Sequence, residues 1–170
     1  MGDTSGRATP TVSADMLKGI ALFDGFDDEA RGRLARTLPT AHFEVGQLVI
    51  REGDDDREMF VVLSGELEVH KHSPAGHEVR VALLGPGDWF GDMSIVDPQE
   101  RSASVRVLAP TMALRIAAIE LEGKLRDEDL RTYALLMRNI ARELARRLRV
   151  ADKILSQLVL TVGDTYRRPT

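Results

Sequence analysis

Two residues of opposite charge, Asp92 and Arg101, lie about ten positions apart in a segment that begins with Gly91. The guanidinium of Arg101 offers a planar fork of donors that suits a phosphate, whereas the carboxylate of Asp92 only accepts hydrogen bonds, which suits a hydroxyl or an amine. Gly91 lets the backbone approach a ligand closely, and the amides after it can converge on an anion. This pattern indicates a site for a small phosphorylated molecule that carries a sugar hydroxyl.

The segment resembles the phosphate-binding cassette of the cyclic nucleotide-binding domain family, which includes catabolite-activator-type transcription factors, kinase regulatory subunits and nucleotide-gated channels. The family pattern reads Phe-Gly-Glu, a short apolar stretch, then Arg, a small residue and Ala. The matching residues are Phe90, Gly91, Arg101, Ser102 and Ala103, with Met93, Ser94 and Ile95 in the apolar stretch. Asp92 departs from the pattern, because the family carries Glu there to bind the ribose 2′-hydroxyl.

Further motifs lie on both sides of the cassette in the family's order. Residues 43–54 look like the family's first strands and turn, 59–69 look like its next hairpin, and Ala145-Arg146-Arg147-Leu148 lies where members carry a long helix. The resemblance covers roughly residues 14–160. It implies a mainly β fold with flanking helices, namely a jelly-roll-type β barrel with N-terminal helices and a long C-terminal helix.

The resemblance also implies a ligand, which is cyclic AMP or cyclic GMP, and no other cofactor. Arg101 is expected to pair with the cyclic phosphate, helped by Ser102 and by backbone amides near Met93 and Ser94. Gly91 and Asp92 are expected to face the ribose, and strand residues from Val81 to Leu83, with Ile50 and Leu63, to wall the base. The expected ligand-binding set is Phe90, Gly91, Asp92, Met93, Ser94, Arg101, Ser102, Ala103, Leu83 and Asp152.

Asp92 and Asp152 leave the identity of the ligand open. The shorter side chain of Asp92 predicts weaker binding of the ribose, a bridging water or a different ligand, and an ion pair with Arg101 is the structural alternative. In activator-type members, hydroxyl-bearing residues that follow the Ala-Arg-Arg-Leu motif reach the adenine amino group. Ala151 and Asp152 stand there. The carboxylate of Asp152 could accept from the adenine amino group, but its two acceptors better match the guanine N1–H and amino group together, which slightly favours cyclic GMP or no strict preference. The alternative is a solvent-facing Asp152.

Composition narrows the functional classes. The chain has 170 residues, no cysteine and a net charge of −4, from 27 acidic and 23 basic residues. A thiol nucleophile, a cysteine zinc site and disulfides are excluded, and the charge gives no general attraction to nucleic acid. No apolar run approaches the roughly 20 residues that span a bilayer, and the N-terminus is polar, so we expect a cytoplasmic protein without membrane contact.

The changes of residue pattern along the sequence predict four segments: a disordered tail over 1–12, the β-roll domain with its N-terminal helices over 13–126, a long helix over 127–161 and a tail over 162–170. Ser13 and Asp27 are predicted to cap two short helices, the second of which is stopped by Pro39. Between them and the long helix, the predicted strands include Phe60–Leu63, Leu67–Val69, Val79–Leu84 and Ser104–Leu108.

The long helix carries an apolar seam with steps of three and four residues. The seam residues are Met137, Ile140, Leu144, Leu148, Ala151, Leu155, Leu158 and Val162. One face is predicted to lie on the barrel and the other to pair with a second copy, as in the family; a single broad core face in a monomer is the alternative. The basic cluster of Arg142, Arg146, Arg147 and Arg149 is predicted to be a solvated face rather than a DNA contact.

A metal-dependent cupin is a remote alternative, because His70, His72 and Glu78 come close to the cupin ligand pattern. Strand alternation argues against it: if Leu67 and Val69 face the core, then His70 and His72 point outward. No histidine follows His77, so the second half of a cupin motif is missing.

No pair of carboxylates and no Ser-His-Asp arrangement stands out, so we expect no enzymatic activity. The predicted function is a non-catalytic sensor that binds a cyclic nucleotide and signals through its C-terminal helix to a partner protein. The chain ends about where activator-type proteins continue into a helix-turn-helix domain, so direct DNA binding is not expected. The alternative is a degenerate domain that acts as a dimerisation scaffold with no ligand.

Overall fold

The computed structural model describes the backbone of residues 12–166 and the side chains of all of these except 124 and 160–166. Two short 3-10 helices, Ala14–Leu17 and Ala21–Phe23, precede helix α1, Asp28–Thr37. Six strands follow: β1 Thr40–Phe43, β2 Leu48–Ile50, β3 Glu58–His72, β4 Glu78–Leu84, β5 Trp89–Phe90 and β6 Ser104–Ala117. The remaining helices are α2 Met93–Val96, a π-helical turn Glu120–Leu125, α3 Arg126–Glu128 and α4 Leu130–Tyr166.

Both predicted helix caps are confirmed. The Ser13 hydroxyl accepts a hydrogen bond from the Met16 amide at 3.4 Å, and the Asp27 carboxylate accepts one from the Ala30 amide at 2.8 Å. These contacts satisfy amides that have no partner within the helices they begin. The predicted tail over 1–12 lies outside the described residues except for Val12, which is buried in the core.

The strands pair antiparallel in the order β1-β6-β3-β4, with β2 added to β6 and β5 added to β3. They confirm the predicted mainly β, jelly-roll-type fold with flanking helices. The runs Phe60–Leu63 and Leu67–Val69, predicted as two strands, are parts of the single strand β3, whose register against β6 shifts between Ser64 and Glu66, on either side of Gly65. Gly65 has φ +102°, and a Cβ there would lie 2.6 Å from the carbonyl oxygen of Pro110, so only glycine fits.

Two apolar cores hold the cassette between them. One lies inside the barrel and contains Ile50, Phe60, Leu67 and Phe90. The other lies between the barrel and the helices, where α4 buries Leu136 and Ile140. Asn139 of α4 also donates hydrogen bonds to the backbone carbonyls of Leu22 and Asp24, both at 2.9 Å, which ties the helix to the N-terminal segment.

Helix α4 divides into two stretches rather than two faces. As far as Arg147, residues on one side pack against the domain; from Leu148 to Val159 every residue is exposed. The seam predicted from the sequence therefore changes its role along the helix: Ile140 is buried, whereas Leu148, Leu155 and Leu158 are each more than half exposed. The helix begins at Leu130 and ends at Tyr166, where the sequence predicts 127–161; residues 167–170 of the predicted tail lie outside the described residues.

Candidate functional site

The cassette runs from the end of β5 to the start of β6, and its backbone turns at Gly91. This residue has φ +81°, and a Cβ there would lie 2.5 Å from the Glu58 carbonyl oxygen and 2.9 Å from Nη1 of Arg101. The close approach requires glycine and brings the Gly91 carbonyl to Arg101. Asp92 then begins the single-turn helix α2, so the amides of Met93 and Ser94 have no acceptor within that helix.

Arg101 is buried beneath the cassette, with a side chain that is only 3% exposed. Its Nε and Nη2 donate to the two carboxylate oxygens of Asp56, both at 2.8 Å. Nη2 also donates to the Glu58 carbonyl at 2.6 Å, and Nη1 donates to the Ser94 hydroxyl at 2.8 Å and the Gly91 carbonyl at 3.2 Å. All five N–H donors of the guanidinium therefore have an acceptor within the chain.

Asp56 is the most accessible of these partners. Its side chain is 49% exposed and borders a cleft of about 620 Å³, whose other lining residues include Arg57, Arg115 and Arg126. Hydrogen bonding to Arg101 lowers the pKa of Asp56 from its ordinary value, and this outweighs the opposing effect of partial burial. The ion pair that the sequence raised as an alternative for Arg101 is present, but it is made with Asp56 and not with Asp92.

Asp92 lies at the other end of the cassette and is 2% exposed. Its Oδ2 accepts a hydrogen bond from the indole Nε1 of Trp89 at 3.1 Å, and both carboxylate oxygens accept from Nη1 of Arg147 at 3.2 Å. Arg147 also donates to the Trp89 carbonyl at 3.2 Å and to Glu143 at 3.0 Å. Asp92 therefore connects the cassette to the last residue of α4 that packs against the domain.

The pKa of Glu143 is lowered, chiefly by its hydrogen bonds from Arg146 and further by those from Arg147, against the opposing effect of desolvation. The ionised carboxylate holds Arg147 in place over Asp92. Arg147 was predicted to belong to a solvated basic face, and this is wrong: its side chain is 39% exposed and binds three groups of the domain and the helix. Arg146, at 62% exposure, fits the prediction.

The other predicted site residues of the cassette differ in how far they are buried. Phe90 is buried and stacks on Phe60, with ring centroids 5.3 Å apart. On the outer side of the cassette, the exposed Ser102 hydroxyl meets the sulfur of Met93 at 3.5 Å, and Ala103 next to it is half-buried.

Two predicted residues lie away from the cassette's interior. Leu83 is half exposed on the outer side of β4, and its neighbour Leu84 is the residue that packs against the barrel core. Asp152 is exposed on the stretch of α4 beyond Arg147.

The site includes three residues that the sequence analysis missed: Asp56, Trp89 and Arg147. Asp56 is one of three consecutive aspartates, and nothing local distinguishes it from Asp54 and Asp55. Arg147 differs from the other arginines of the helix in its contact with Asp92, which is 55 residues away, so the local sequence carries no signal for it.

His70 was predicted to point outward, and this is also wrong. It is 3% exposed, because the pairing of β3 with β4 shifts register between Val69 and His70 and breaks the alternation of the strand. Its Nε2 lies 3.4 Å from Nη2 of Arg106 and 3.5 Å from Glu78.

Within residues 12–166, the side chains that the structure describes include no group of three or more His, Cys, Asp or Glu that could hold a metal ion. The same part of the chain contains no helix with the length and apolar character needed to cross a membrane.

The family model, the curated relatives and the solved structures that match this chain all point to one family. The family model described as "Cyclic nucleotide-binding domain" matches residues 40–128. The chain is 34% identical over 139 residues to "Cyclic AMP receptor protein" of Thermus thermophilus, covering 80% of this chain and 61% of that protein. It is 29% identical over 147 residues to "CRP-like cAMP-activated global transcriptional regulator" of Mycobacterium tuberculosis, covering 86% and 63%.

Among solved structures, a cyclic nucleotide-binding domain from Methylobacillus flagellatus superposes with a TM-score of 0.75 at 25% identity, covering 85% of this chain and 81% of that one. The chain spans about three fifths of the length of the two curated relatives described above.

Proposed function

Because this chain belongs to the cyclic nucleotide-binding domain family, we propose that it is a non-catalytic regulatory sensor. It binds cyclic AMP or cyclic GMP at the cassette and signals through α4 to a partner protein. The relatives support cyclic AMP, since one is a cyclic AMP receptor and another is activated by cyclic AMP. Asp152, on which the predicted preference for guanine rested, is exposed on α4 beyond Arg147, so cyclic GMP is kept as the competing ligand on the family resemblance alone.

The observation that carries the proposal is the fork-to-fork pair of Arg101 and Asp56. Two carboxylate oxygens occupy Nε and Nη2 of a buried guanidinium at 2.8 Å each. The two exocyclic oxygens of a cyclic phosphate have the same fork geometry and also carry negative charge. Asp56 is half exposed and borders an open cleft, so it has room to leave. The ligand phosphate therefore takes the place of the Asp56 carboxylate on Arg101.

The signal reaches α4 through Arg147. This residue touches Asp92 in the cassette and is also the last residue of α4 that packs on the domain before the exposed stretch. A ligand that binds better when this contact has one particular geometry shifts the population of helix orientations. The exposed stretch of α4 then changes its position relative to the barrel, which a partner protein can detect.

The lone tryptophan of the chain, Trp89, lies next to the cassette, donates a hydrogen bond to Asp92 and gives a direct assay. Fluorescence titration with cyclic AMP and with cyclic GMP should give saturable curves, whereas 5′-AMP, which has an open phosphate ester, should bind far more weakly. Arg101→Gln should abolish the response and Arg106→Gln, a control that lies outside the proposed site, should retain it. Saturable binding that survives Arg101→Gln would contradict the proposed site.

One observation favours a second function, a scaffold that binds no ligand: every donor of Arg101 is already satisfied within the chain. A thermal-shift series with cyclic AMP, cyclic GMP and cyclic dinucleotides at millimolar concentration separates the two functions. Stabilisation by any of them supports the sensor, because a ligand that binds only the folded state raises the melting temperature. No shift with all of them supports the scaffold.

We also propose that α4 pairs with a second copy of the chain. Beyond Arg147 the helix exposes Leu148, Leu155 and Leu158 at the spacing of a coiled-coil seam, each about 60% exposed. Pairing two such seams removes this apolar surface from water. In sedimentation, Leu155→Lys should convert a dimer to a monomer, while the matched control Ser156→Lys should not. A monomeric wild-type protein would contradict the pairing.

A further inference from the structure

The carboxylate of Asp92 is the group that the family resemblance assigns to the ribose hydroxyl, but its surroundings in this chain are those of a structural anchor. An ionised carboxylate has about four lone-pair positions. In Asp92, Oδ2 accepts from the Trp89 indole at 3.1 Å, and both oxygens accept from Arg147 at 3.2 Å. With 2% of the residue exposed, little of the carboxylate is left for a ligand.

The geometry on either side keeps the carboxylate in this position. Trp89 is 6% exposed and belongs to the core cluster between the barrel and the helices, so its indole is held by packing. Arg147 is held by Glu143 and by the Trp89 carbonyl as well as by Asp92. The partly exposed guanidinium of Arg147 thus lies between Asp92 and solvent, and it presents donors where a hydroxyl would need an acceptor.

We infer that Trp89 and Arg147 retain the Asp92 carboxylate inside the fold, so that the pocket recognises a cyclic phosphate without selecting for a 2′-hydroxyl on its sugar. Trp89 acts as a positioning residue through its indole N–H. The ligand class is then cyclic nucleotides of either sugar, ribose or 2′-deoxyribose. This inference rests on the proposed function for its ligand, but the anchoring of Asp92 is a property of the free protein.

The anchor is tested without ligand by a double-mutant cycle. Trp89→Phe removes the indole donor and keeps an aromatic ring, and Asp92→Ala removes the acceptor. The equilibrium constant of unfolding is measured in urea by circular dichroism. Trp89→Phe should raise this constant in both backgrounds, and the factor should be about tenfold larger in the wild type than in Asp92→Ala. The cycle cancels the packing change that the smaller ring causes. A coupling below about twofold overturns the inference whatever the ligand result.

The specificity is tested by calorimetric titration with cyclic AMP and its 2′-deoxy analogue. The two dissociation constants should differ by less than about threefold in the wild type, because a hydrogen bond to a carboxylate would separate them by about tenfold or more. Asp92→Glu, whose carboxylate reaches one methylene further, should restore a preference of about tenfold for the ribonucleotide.

The outcomes separate the inference from the proposed function. A wild-type preference of tenfold or more for the ribonucleotide overturns the inference and leaves the proposed function standing. If neither nucleotide binds, the proposed function fails, and the mutant cycle alone decides whether Asp92 is an anchor.

Discussion

The two ends of the cassette bury charges of opposite sign and satisfy them in different ways. At one end, the Arg101 side chain is 3% exposed and its ionic partner, Asp56, is 49% exposed. At the other end, Asp92 is 2% exposed, and its partners are a core indole and an arginine of α4. An exposed partner can be exchanged for a ligand anion, whereas a partner built into the core and a helix cannot leave without disturbing the fold. In the proposed function, this difference assigns capture of the ligand to the Arg101 end and communication with α4 to the Asp92 end.

The largest effect is expected when Arg101 itself is replaced. Arg101→Gln leaves the carbonyls of Glu58 and Gly91 short of donors, so we expect a loss of about 3 kcal/mol in the free energy of unfolding. Binding of a cyclic nucleotide should weaken by about a hundredfold or more, since the charged fork for the phosphate is gone. Urea unfolding and calorimetry measure the two effects.

Arg106→Gln is the control for this replacement, because Arg106 lies outside the proposed site and pairs with Glu68 and Glu78 near the far end of β3. It should change the free energy of unfolding by less than about 1 kcal/mol and leave the affinity unaltered. If both variants weaken binding of the nucleotide equally, Arg101 is not the residue that binds the phosphate.

The Asp92 end can be tested with two adjacent arginines of α4. Arg147→Met leaves the buried carboxylate of Asp92 without its cation, so we expect a loss of about 2 kcal/mol in the free energy of unfolding. Arg146→Met removes only contacts with Glu143 from an exposed side chain and should cost less than about 0.5 kcal/mol. If the two losses are the same, Asp92 does not join the cassette to α4.

Local chemistry explains which parts of this comparison could be predicted from the sequence. The turn at Gly91, the small residue at Ser94 and the guanidinium of Arg101 belong to one short segment, and the caps at Ser13 and Asp27 act within three residues. Such features depend on neighbours in the chain, so their residue types carry the signal. The same holds for the strands, although β3 continues through Gly65, where the chain lies too close to Pro110 and Thr111 of β6 for any side chain.

The partners that distinguish the two ends come from distant parts of the chain. Asp56 is 45 residues from Arg101, and Arg147 is 55 residues from Asp92. Which of three aspartates and which of several arginines makes the contact depends on how β3 and α4 pack around the cassette. A register shift of β3 against β4 likewise turns His70 inward, and no local sequence pattern predicts this shift.

A smaller effect is expected when the exchangeable partner is removed. Asp56→Asn keeps the shape of the side chain but removes the charge that competes with the ligand for Arg101. A cyclic nucleotide should then bind about tenfold more tightly. Asp55→Asn, which removes a neighbouring exposed charge, should leave the affinity within about twofold of the wild type. If Asp56→Asn weakens binding instead, Asp56 assists the ligand and is not displaced by it.

The smallest effect concerns pH and the same ion pair. The pKa of Asp56 is lowered in the folded protein, so its ionised form contributes stability that is present above its unfolded pKa of about 4 and is lost as pH falls through the lower folded value. The contribution should be below about 1 kcal/mol, because the side chain is half exposed.

The measurement is the difference in unfolding free energy between the wild type and Asp56→Asn. It should be constant from about pH 7 to pH 5 and shrink below about pH 4. Subtraction is needed because Glu143 also has a lowered pKa and contributes the same trend to both proteins. A difference that persists unchanged below about pH 3 would mean that it does not come from the ionised carboxylate of Asp56, and the electrostatic case for exchanging Asp56 with a ligand phosphate would then fail.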